Sequence, residues 1–216
     1  MFVNKIFSVN PIQENCYILS DETHEAVVID DGAFYPEEVQ SIEDYIVSNQ
    51  LEPKHLLCTH THFDHIWGSG KLYDKFGLKA EFCAEDAYLF DSVEEQMRQI
   101  CHYAMPMYSA PAGNFIREGD IVKFGSHSLS VIATPGHTRG GVCFYCAEEK
   151  SLFSGDSLFQ QSVGRTDFEG GNLDDLINSL RNKILILPDD VKVFPGHGPA
   201  TEIGYEKTHN IYFRNF

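Results

Sequence analysis

Short apolar runs separated by polar turns dominate the start of the chain, a pattern typical of β-strands. The runs predict strands over residues 2–9, 16–19 and 26–30, and Pro11 with its polar neighbours predicts a turn over 11–15. The chain is therefore predicted to start as a hairpin that is followed by a third strand.

The periodicity of the apolar positions then changes from strand-like to helical. Val39, Ile42 and Ile46 recur at helical spacing, and Pro36 suits the first turn of a helix. A helix is therefore predicted over residues 36–50. The remaining apolar runs predict a strand over 54–59, a helix over 64–76, a strand over 78–83, strands over 121–124, 128–133, 141–147, 151–154 and 191–194, and helices over 173–183 and from 201 onward.

The order of these elements indicates the fold class. Strands followed by helix, strand and helix occur twice along the chain, which predicts two packed sheets with helices outside them. The prediction is an α/β protein with a four-layer αββα sandwich. No low-complexity linker separates the halves, so residues 1–216 are predicted to form a single domain.

Residues 84–117 form the least regular part of the chain. The pattern has helical character over 84–101, and residues 102–108 then interrupt it. Long irregular segments in compact domains are often lids or binding loops. The segment either overhangs a functional site or forms a surface connection, and the pattern leaves both alternatives open.

Charge and hydropathy narrow the function classes. The formal net charge of −16 disfavours a nucleic-acid partner, because binding to phosphate backbones depends on Lys and Arg. No window approaches the roughly 18 uninterrupted apolar residues of a membrane span. The first residues show no signal-peptide pattern, so the expected location is the cytoplasm. The oligomeric state is left open.

The six cysteines are scattered along the chain. Cys143 and Cys146 form a C-x-x-C pair, but they lie in a predicted strand, where residues three apart point to opposite faces. Free thiols are therefore favoured over a redox or zinc-binding pair.

One short segment carries the strongest chemical signal. Residues 60–65 place His60, His62, Asp64 and His65 directly after a predicted strand. Imidazole and carboxylate groups are the ordinary ligands of Zn²⁺ and related first-row metals. Four such residues within six positions make an ordinary polar surface loop the weaker interpretation.

Three later segments repeat this theme. His137, Asp156 and His197 each follow an apolar stretch in a tight turn that contains glycine. With the first segment they provide seven candidate ligands, which is enough for two metal ions that share one carboxylate, and Asp156 is the natural candidate for the shared group. The other histidines lack such a pattern and are predicted to be surface or packing residues: His24, His55, His102, His127 and His209.

The order H-x-H-x-D-H, followed by the later His, Asp and His, resembles the metallo-β-lactamase-fold hydrolases over essentially the whole chain. Residues 134–138 (Thr-Pro-Gly-His-Thr), 164–168 (Gly-Arg-Thr-Asp-Phe) and 195–199 (Pro-Gly-His-Gly-Pro) resemble the short, single-domain glyoxalase II-like subgroup. Full-length glyoxalase II has an additional C-terminal helical domain for glutathione, which residues 1–216 do not contain. The resemblance therefore implies the hydrolytic core more firmly than glutathione specificity.

The resemblance also implies roles for individual residues. The first metal ion is expected on His60, His62 and His137. The second ion is expected on Asp64, His65 and His197, with Asp156 as the bridging carboxylate. Asp30 matches a supporting acid that orients the histidine loop, and Arg165 is a possible substrate contact. A structural ion pair between Arg165 and Asp167 is favoured over a contact of either residue with the substrate.

The predicted activity is that of a dinuclear metal-dependent hydrolase, a thioesterase that acts on an S-acyl thiol such as S-lactoylglutathione through a metal-bound hydroxide. Asp64 and Asp156 are the predicted catalytic carboxylates. Zinc is the default metal, although these ligands also suit iron or manganese. The partner is expected to be a small-molecule thioester, with neither nucleic acid nor membrane involved.

Four alternative functions share parts of this pattern. An iron-dependent persulfide dioxygenase shares this fold and is the main alternative. A β-lactamase is disfavoured by the absence of a signal peptide, and a nuclease is disfavoured by the negative charge. A flavin-partnered electron-transfer module of the flavodiiron type would need a flavodoxin-like domain, for which residues 1–216 leave no room.

Overall fold

The computed structural model describes residues 1–102 and 107–214. The strands of the first half are β1 (Val3–Val9), β2 (Glu14–Ser20), β3 (Glu25–Ile29), β4 (Glu52–Leu57), β5 (Ala80–Cys83) and β6 (Ala112–Ile116). The strands of the second half are β7 (Ile121–Phe124), β8 (His127–Ala133), β9 (Val142–Cys146), β10 (Ser151–Gly155), β11 (Leu158–Phe159), β12 (Ser162–Val163), β13 (Lys192–Pro195) and β14 (Thr201–Glu202). The helices are α1 (Pro36–Ser48), α2 (Phe63–Ile66), α3 (Ser69–Phe76), α4 (Ala87–Phe90), α5 (Val93–Cys101), α6 (Leu173–Ser179) and α7 (Ile203–His209).

Two six-stranded sheets organise the described residues. The first has the order β1-β2-β3-β4-β5-β6, and the second has the order β14-β13-β10-β9-β8-β7. In the first sheet, β1, β2 and β3 form an antiparallel meander, whereas β3, β4, β5 and β6 run parallel. In the second sheet, β10 and β13 are parallel and the other pairs are antiparallel.

Three apolar layers hold the sheets and helices together, which confirms the predicted αββα sandwich. One layer joins the first sheet to α1, α3 and α5 through residues that include Ile18, Val28, Ile42, Leu72 and Met97. The middle layer joins the two sheets through residues that include Leu19, Ile29, Phe124, Phe144 and Phe153. The third layer joins the second sheet to α6 and α7 through residues that include Leu152, Val193, Leu176, Leu180 and Ile203.

The alternation of side chains along each strand explains why both faces of the sheets are apolar. In β2, Ile18 belongs to the outer layer, whereas Tyr17 and Leu19 belong to the middle layer. In β9, Cys143 faces α6 and Cys146 faces the other sheet. The structure therefore confirms that the C-x-x-C pair points to opposite faces. Both thiols are free.

The predicted helix over residues 64–76 is wrong in one respect, because it is divided into α2 and α3 at Trp67 and Gly68. A continuous helix would pair the N–H of Gly68 with the carbonyl of Asp64. Instead, Gly68 N–H donates to the Asp31 carbonyl at 2.8 Å, and the Asp64 carbonyl accepts from Asn10 Nδ2 at 3.0 Å. Tertiary hydrogen bonds therefore interrupt the helix directly after the histidine segment. Trp67 packs on Phe34 and Phe63.

Other elements also differ from the prediction. The helix predicted over 173–183 ends as α6 and continues as a π-helical turn over Leu180–Ile184, where Leu185 N–H donates to the Leu180 carbonyl. The irregular segment contains β6, which pairs parallel with β5. The interruption predicted over 102–108 falls partly on residues 103–106, which lie outside the described residues. In the part of the chain that the structure covers, no helix has the length and apolar content needed to cross a bilayer.

A buried polar network joins the turns of the two sheets. The Asp21 carboxylate accepts hydrogen bonds from the backbone N–H and the hydroxyl of Ser126, both at 2.7 Å. His127 lies next to it, with Nδ1 3.1 Å from Asp21 and Nε2 3.1 Å from Glu149. The terminal amine of Met1 lies 3.2 Å from Glu149. His127 is therefore a packing residue, as predicted, and it is held between two carboxylates.

Candidate metal centre

The histidine segment leaves β4 as extended backbone and then enters a helix. His62 is the N-cap residue of α2, with φ −65° and ψ 148°. Residues two apart in extended chain point to the same side, so His60 and His62 project together. The helix then turns Asp64 and His65 into the same space from another direction.

The other candidate residues follow strands β8, β10 and β13 of the second sheet. Gly155 has a φ of +47°, and a Cβ added there would lie 2.2 Å from Thr59 Oγ1. Glycine therefore allows the chain to turn sharply and present Asp156. A Cβ at Gly196 would lie 2.4 Å from Asp156 Oδ1, so the turn before His197 also needs glycine.

Three histidines form a first donor group, which consists of His60, His62 and His137. The Nδ1 atom of His62 lies 2.9 Å from Nε2 of His137. The ring of His60 lies 4.8 Å from each of the other two rings, measured between centroids. All three side chains are buried. Their facing nitrogens can therefore hold one cation between them.

A second donor group consists of Asp64, His65 and His197. The Oδ2 atom of Asp64 lies 3.2 Å from Nε2 of His197 and 3.6 Å from Nε2 of His65. The His197 side chain is 25% exposed, whereas that of His65 is fully buried. The centre therefore opens to solvent on the side of His197.

Asp156 lies between the two donor groups. Its Oδ1 atom is 3.4 Å from Nε2 of His65, and its Oδ2 atom is 3.6 Å from Nε2 of His137. One carboxylate thus reaches a histidine of each group. This is the position that a bridging ligand between two cations would occupy.

Buried atoms without partners support the fit of metal ions to this site. Within the described residues, His60 Nε2, His65 Nε2 and Asp156 Oδ1 are buried and make no hydrogen bond, although the last two lie 3.4 Å from each other. Buried polar atoms in proteins are nearly always paired. Three unpaired atoms that point into one space, from residue types that bind divalent cations, fit a metal centre.

In three of the histidines, His60, His137 and His197, the Nδ1 atom is held from outside the centre. His60 Nδ1 lies 3.1 Å from Thr59 Oγ1, His137 Nδ1 lies 2.7 Å from the Arg165 carbonyl, and His197 Nδ1 lies 3.1 Å from the Ile12 carbonyl. Such contacts fix the ring tautomer and leave Nε2 as the inward-facing donor.

Asp30 holds Nδ1 of His65 in the same way. The structure therefore brings Asp30 to the position that the sequence predicted. Its Oδ2 atom lies 2.9 Å from His65 Nδ1 and accepts from Thr59 Oγ1 at 2.8 Å, while Oδ1 accepts from Thr59 N–H at 2.7 Å. Asp30 is buried and has a φ of +51°. This carboxylate therefore fixes the strand exit and one histidine at once.

The surroundings set the protonation of the first donor group. Burial is the largest cause that lowers the pKa of His60, of His62 (to about 3) and of His137, and neighbouring imidazoles lower the pKa of His60 and His62 further. Neutral imidazole is the form that binds a metal ion. This half of the centre is therefore already in its binding form at neutral pH.

Charge compensation dominates the second donor group. Burial is the largest single cause and acts to raise the pKa of Asp64 and of Asp156, but His65 and His197 together outweigh it and the net shift of both is downward. Burial acts to lower the pKa of His65, but Asp64 and Asp156 raise it overall. The carboxylates thus stay ionised and attract a positive charge, which a proton or a divalent cation can provide.

Arg165 and Asp167 form the ion pair that the sequence favoured. The Arg165 Nε and Nη2 atoms each donate to an Asp167 oxygen at 2.7 Å. The guanidinium also lies over the ring of Phe168, 3.8 Å from its centroid. Phe168 contacts His62 edge-on, with the ring centroids 5.8 Å apart. Arg165 is therefore near the site but is paired.

Sequence reasoning missed several residues that hold the site in place. Asn15 Nδ2 donates to the carbonyls of Pro195 and Gly198, and Tyr17 Oη also donates to Pro195, so both side chains fix the turn that carries His197. Both are polar groups in a strand that is buried along its whole length, and nothing in the sequence distinguishes them from ordinary turn and strand residues.

Asp86 and Asn10 have similar roles, and the sequence did not reveal them either. The Asp86 carboxylate accepts from Thr138 Oγ1 at 2.7 Å and from Gly140 N–H at 2.6 Å, which fixes the turn after His137. Burial raises the pKa of Asp86 to about 6. Asn10 binds the Asp64 carbonyl, and nothing in the sequence distinguishes it from an ordinary turn residue.

The two-sheet sandwich and its seven converging donors define a metal-dependent hydrolase. The chain belongs to the metallo-beta-lactamase superfamily, whose sequence profile matches residues 9–197.

Similar proteins span nearly the whole chain. The hydroxyacylglutathione hydrolase GloC of Haemophilus influenzae is 36% identical over 98% of both chains. Among solved structures, the B3 metallo-beta-lactamase BLEG-1 has a TM-score of 0.88 and 36% identity, with 98% of this chain and 99% of that chain covered. TTHA1623 in a di-iron-bound form has a TM-score of 0.84 and 33% identity, with 96% and 99% covered. ETHE1 from Myxococcus xanthus has a TM-score of 0.80 and 29% identity, with 99% and 85% covered.

Proposed function

We propose that this protein is a dinuclear metal-dependent thioesterase that hydrolyses a small S-acyl thiol such as S-lactoylglutathione. The observation that carries the proposal is the convergence of two donor groups on either side of Asp156, with buried donor atoms that lack partners. The similarity to a hydroxyacylglutathione hydrolase over nearly the full length supports the choice of a thioester.

In this proposal, the first donor group (His60, His62 and His137) would hold one ion and the second donor group (Asp64, His65 and His197) would hold the other. Asp156 would serve both groups, and Asp64 and Asp156 are the proposed catalytic carboxylates. When bound, two divalent ions supply a water of lowered pKa as the nucleophile and polarise the substrate carbonyl. Zinc is our first choice of metal. Because a similar protein has been solved in a di-iron-bound form, iron should be tested alongside zinc.

The chain's own residues supply orientation and charge. Asp30 and Thr59 hold the histidine rings at fixed angles. The side chain of the ionised Asp64 is 9% exposed and lies next to His197, on the side of the centre that opens to solvent. There it can orient an incoming water. Departure as a thiolate requires no strong general acid, because thiols are much more acidic than amines or alcohols.

A cavity beside His62 offers a place for part of the substrate. Leu89, Ile100 and Phe168 line it together with polar side chains from α5. For α4 and α5, this adjacency agrees with the alternative in which residues 84–117 border the site. Arg165, near the rim, is our candidate substrate contact once Asp167 releases it. We further propose that the substrate is a small cytoplasmic molecule, not a nucleic acid or a membrane lipid, in keeping with the charge of −16.

A persulfide dioxygenase is the second candidate. ETHE1, a persulfide dioxygenase, is 29% identical to this chain with a TM-score of 0.80. That reaction needs iron and consumes oxygen, whereas thioester hydrolysis consumes only water. Metal identity and oxygen uptake therefore separate the two candidates.

The test uses the purified protein loaded separately with Zn²⁺, Fe²⁺ and Mn²⁺. Each form is assayed with S-lactoylglutathione, with glutathione persulfide under oxygen, and with a β-lactam. We expect thioester hydrolysis, which His60→Ala and Asp156→Ala abolish, whereas the exposed His24→Ala leaves it unchanged. Oxygen uptake on the persulfide with one iron per chain would move the protein to the dioxygenases, and efficient opening of the lactam would overturn the choice of a thioester.

A further inference from the structure

Gln96 is a buried amide on the cavity side of α5. Its side chain is 5% exposed, although glutamine is usually found at the surface. Neither the proposed chemistry nor the packing of apolar side chains accounts for a fully polar group at this position.

All the hydrogen-bonding groups of the Gln96 side chain face a matching partner. Its Oε1 atom accepts from Phe63 N–H at 3.1 Å. Its Nε2 atom donates to the carbonyls of Thr61 at 3.1 Å and of Leu89 at 2.7 Å. A backbone N–H can only donate and a carbonyl can only accept, so these three partners fix the orientation of the amide.

Two of these partners flank a residue of the first donor group. Thr61 and Phe63 are the residues immediately before and after His62. The amide therefore spans the backbone on both sides of that histidine, at the point where extended chain becomes helix. Rotation of either peptide would change where the His62 ring points, and the three hydrogen bonds oppose that rotation.

The same residue lines the cavity beside His62. The third partner, Leu89, belongs to α4, which also lines the cavity. Gln96 thus ties the wall of the cavity to the backbone that presents His62. Gln99, one turn further along α5, lines the same cavity but is exposed, and its amide donates to Glu95 at 3.1 Å.

We propose that Gln96 is a positioning residue for the first donor group, which holds His62 in its metal-binding orientation and couples it to the cavity wall. The inference rests on the proposed metal centre. The second donor group is held by other residues, including Asn10, Asp30 and Ile12. Loss of Gln96 should therefore weaken the binding of one ion of the pair.

The test compares Gln96→Glu with Gln99→Glu. Both variants add one negative charge to the same helix and the same cavity, but only the first places an oxygen against the Thr61 and Leu89 carbonyls. Gln96→Met, similar in size and apolar, removes the hydrogen bonds without a buried charge. Each protein, loaded with two Zn²⁺ ions, is equilibrated with a chromophoric chelator, and the thermal midpoint of each metal-free form is recorded.

For both Gln96 variants we expect one ion to bind about 10- to 100-fold more weakly, the range seen when outer contacts of metal ligands are removed. The affinity for the other ion should change much less, and the affinities of Gln99→Glu for both ions should match those of the wild type. A lower thermal midpoint with unchanged affinity for both ions would overturn the proposal and leave Gln96 a purely structural residue. If the wild-type protein binds no metal, the proposed function itself fails.

Discussion

Asp30→Asn tests how a buried carboxylate controls a metal ligand. In the wild-type protein, Asp30 Oδ2 accepts from Thr59 Oγ1 and faces His65 Nδ1, so the proton of the neutral imidazole lies on Nδ1 and the lone pair on Nε2. In the variant, an amide NH2 takes the place of Oδ2, because Oδ1 must remain an acceptor for Thr59 N–H. The amide donates to Nδ1, and His65 then carries its proton on Nε2.

The size of the effect follows from these contacts. A hydrogen bond to a charged group contributes about 1.5–3 kcal/mol, and the variant exchanges the bond to His65 for a tautomer that points a proton at the second donor group. Since ~1.4 kcal/mol corresponds to a factor of ten in affinity, we expect the ion on that group to bind about 10- to 100-fold more weakly. The first donor group is linked to Asp30 Oδ2 only through Thr59, which contacts His60. The affinity of the first donor group for its ion should therefore change less.

The assay is chelator competition on the two-metal protein, with hydrolysis of S-lactoylglutathione measured at each occupancy. Asp31→Asn is the matched control, because Asp31 is the next residue, is also buried, and accepts from Ala33 N–H instead of contacting a histidine side chain. Burial raises the pKa of Asp31 to about 7, so the two variants are compared well above that pH, where Asp31 is ionised. Equal affinities for both ions in Asp30→Asn and the wild type would refute the tautomer argument. Equal losses in both variants would show that buried negative charge alone is responsible.

Three further outcomes follow from the structure. His127→Leu leaves Asp21 and Glu149 facing an apolar side chain, so urea unfolding should show a loss of about 3 kcal/mol with metal content and turnover unchanged. Asp167→Asn releases Arg165 from an exposed ion pair that solvent screens, so the KM for the anionic S-lactoylglutathione should fall, while that for an uncharged thioester stays constant. Exhaustive chelation should abolish hydrolysis, and added Zn²⁺, Fe²⁺ or Mn²⁺ should restore it.

Each of these outcomes can fail in a recognisable way. A destabilisation below about 1 kcal/mol in His127→Leu would mean that the network contributes no more than surface pairs do. An equal fall in KM for charged and uncharged thioesters would show that Arg165 does not bind the negative charge of the substrate. Turnover by protein shown to be free of metal would contradict a metal-dependent reaction.

The sequence was most informative where the chemistry is local. His60, His62, Asp64 and His65 lie within six positions, so their spacing alone predicts a shared site. The strands of the two sheets are recognisable as short apolar runs. In β2, successive side chains belong alternately to the outer and the middle layer, as the period of two predicts. Period-two and helical patterns are local properties, which is why the sandwich could be predicted.

The sequence was least informative where long-range contacts decide the structure. The break between α2 and α3 depends on hydrogen bonds from Gly68 to Asp31 and from Asn10 to Asp64, which no local pattern contains. The strand β6 exists because β5 offers it a parallel edge.

The residues that hold the site are hidden for the same reason. Gln96 and Asp86 belong to helical or turn segments where a polar residue is ordinary, and only the folded chain shows that they are buried against the loops of His62 and His137. Positioning residues are defined by their partners, and their partners here are far away in sequence.

The most direct test of the proposed dinuclear centre is the metal content per chain, measured by elemental analysis on the wild-type protein and on His62→Ala and His197→Ala. We expect close to two ions in the wild type and close to one in each variant, because each substitution removes a ligand from a different donor group. A wild-type content of one ion, or the loss of both ions together in each variant, would contradict two separate donor groups joined by Asp156.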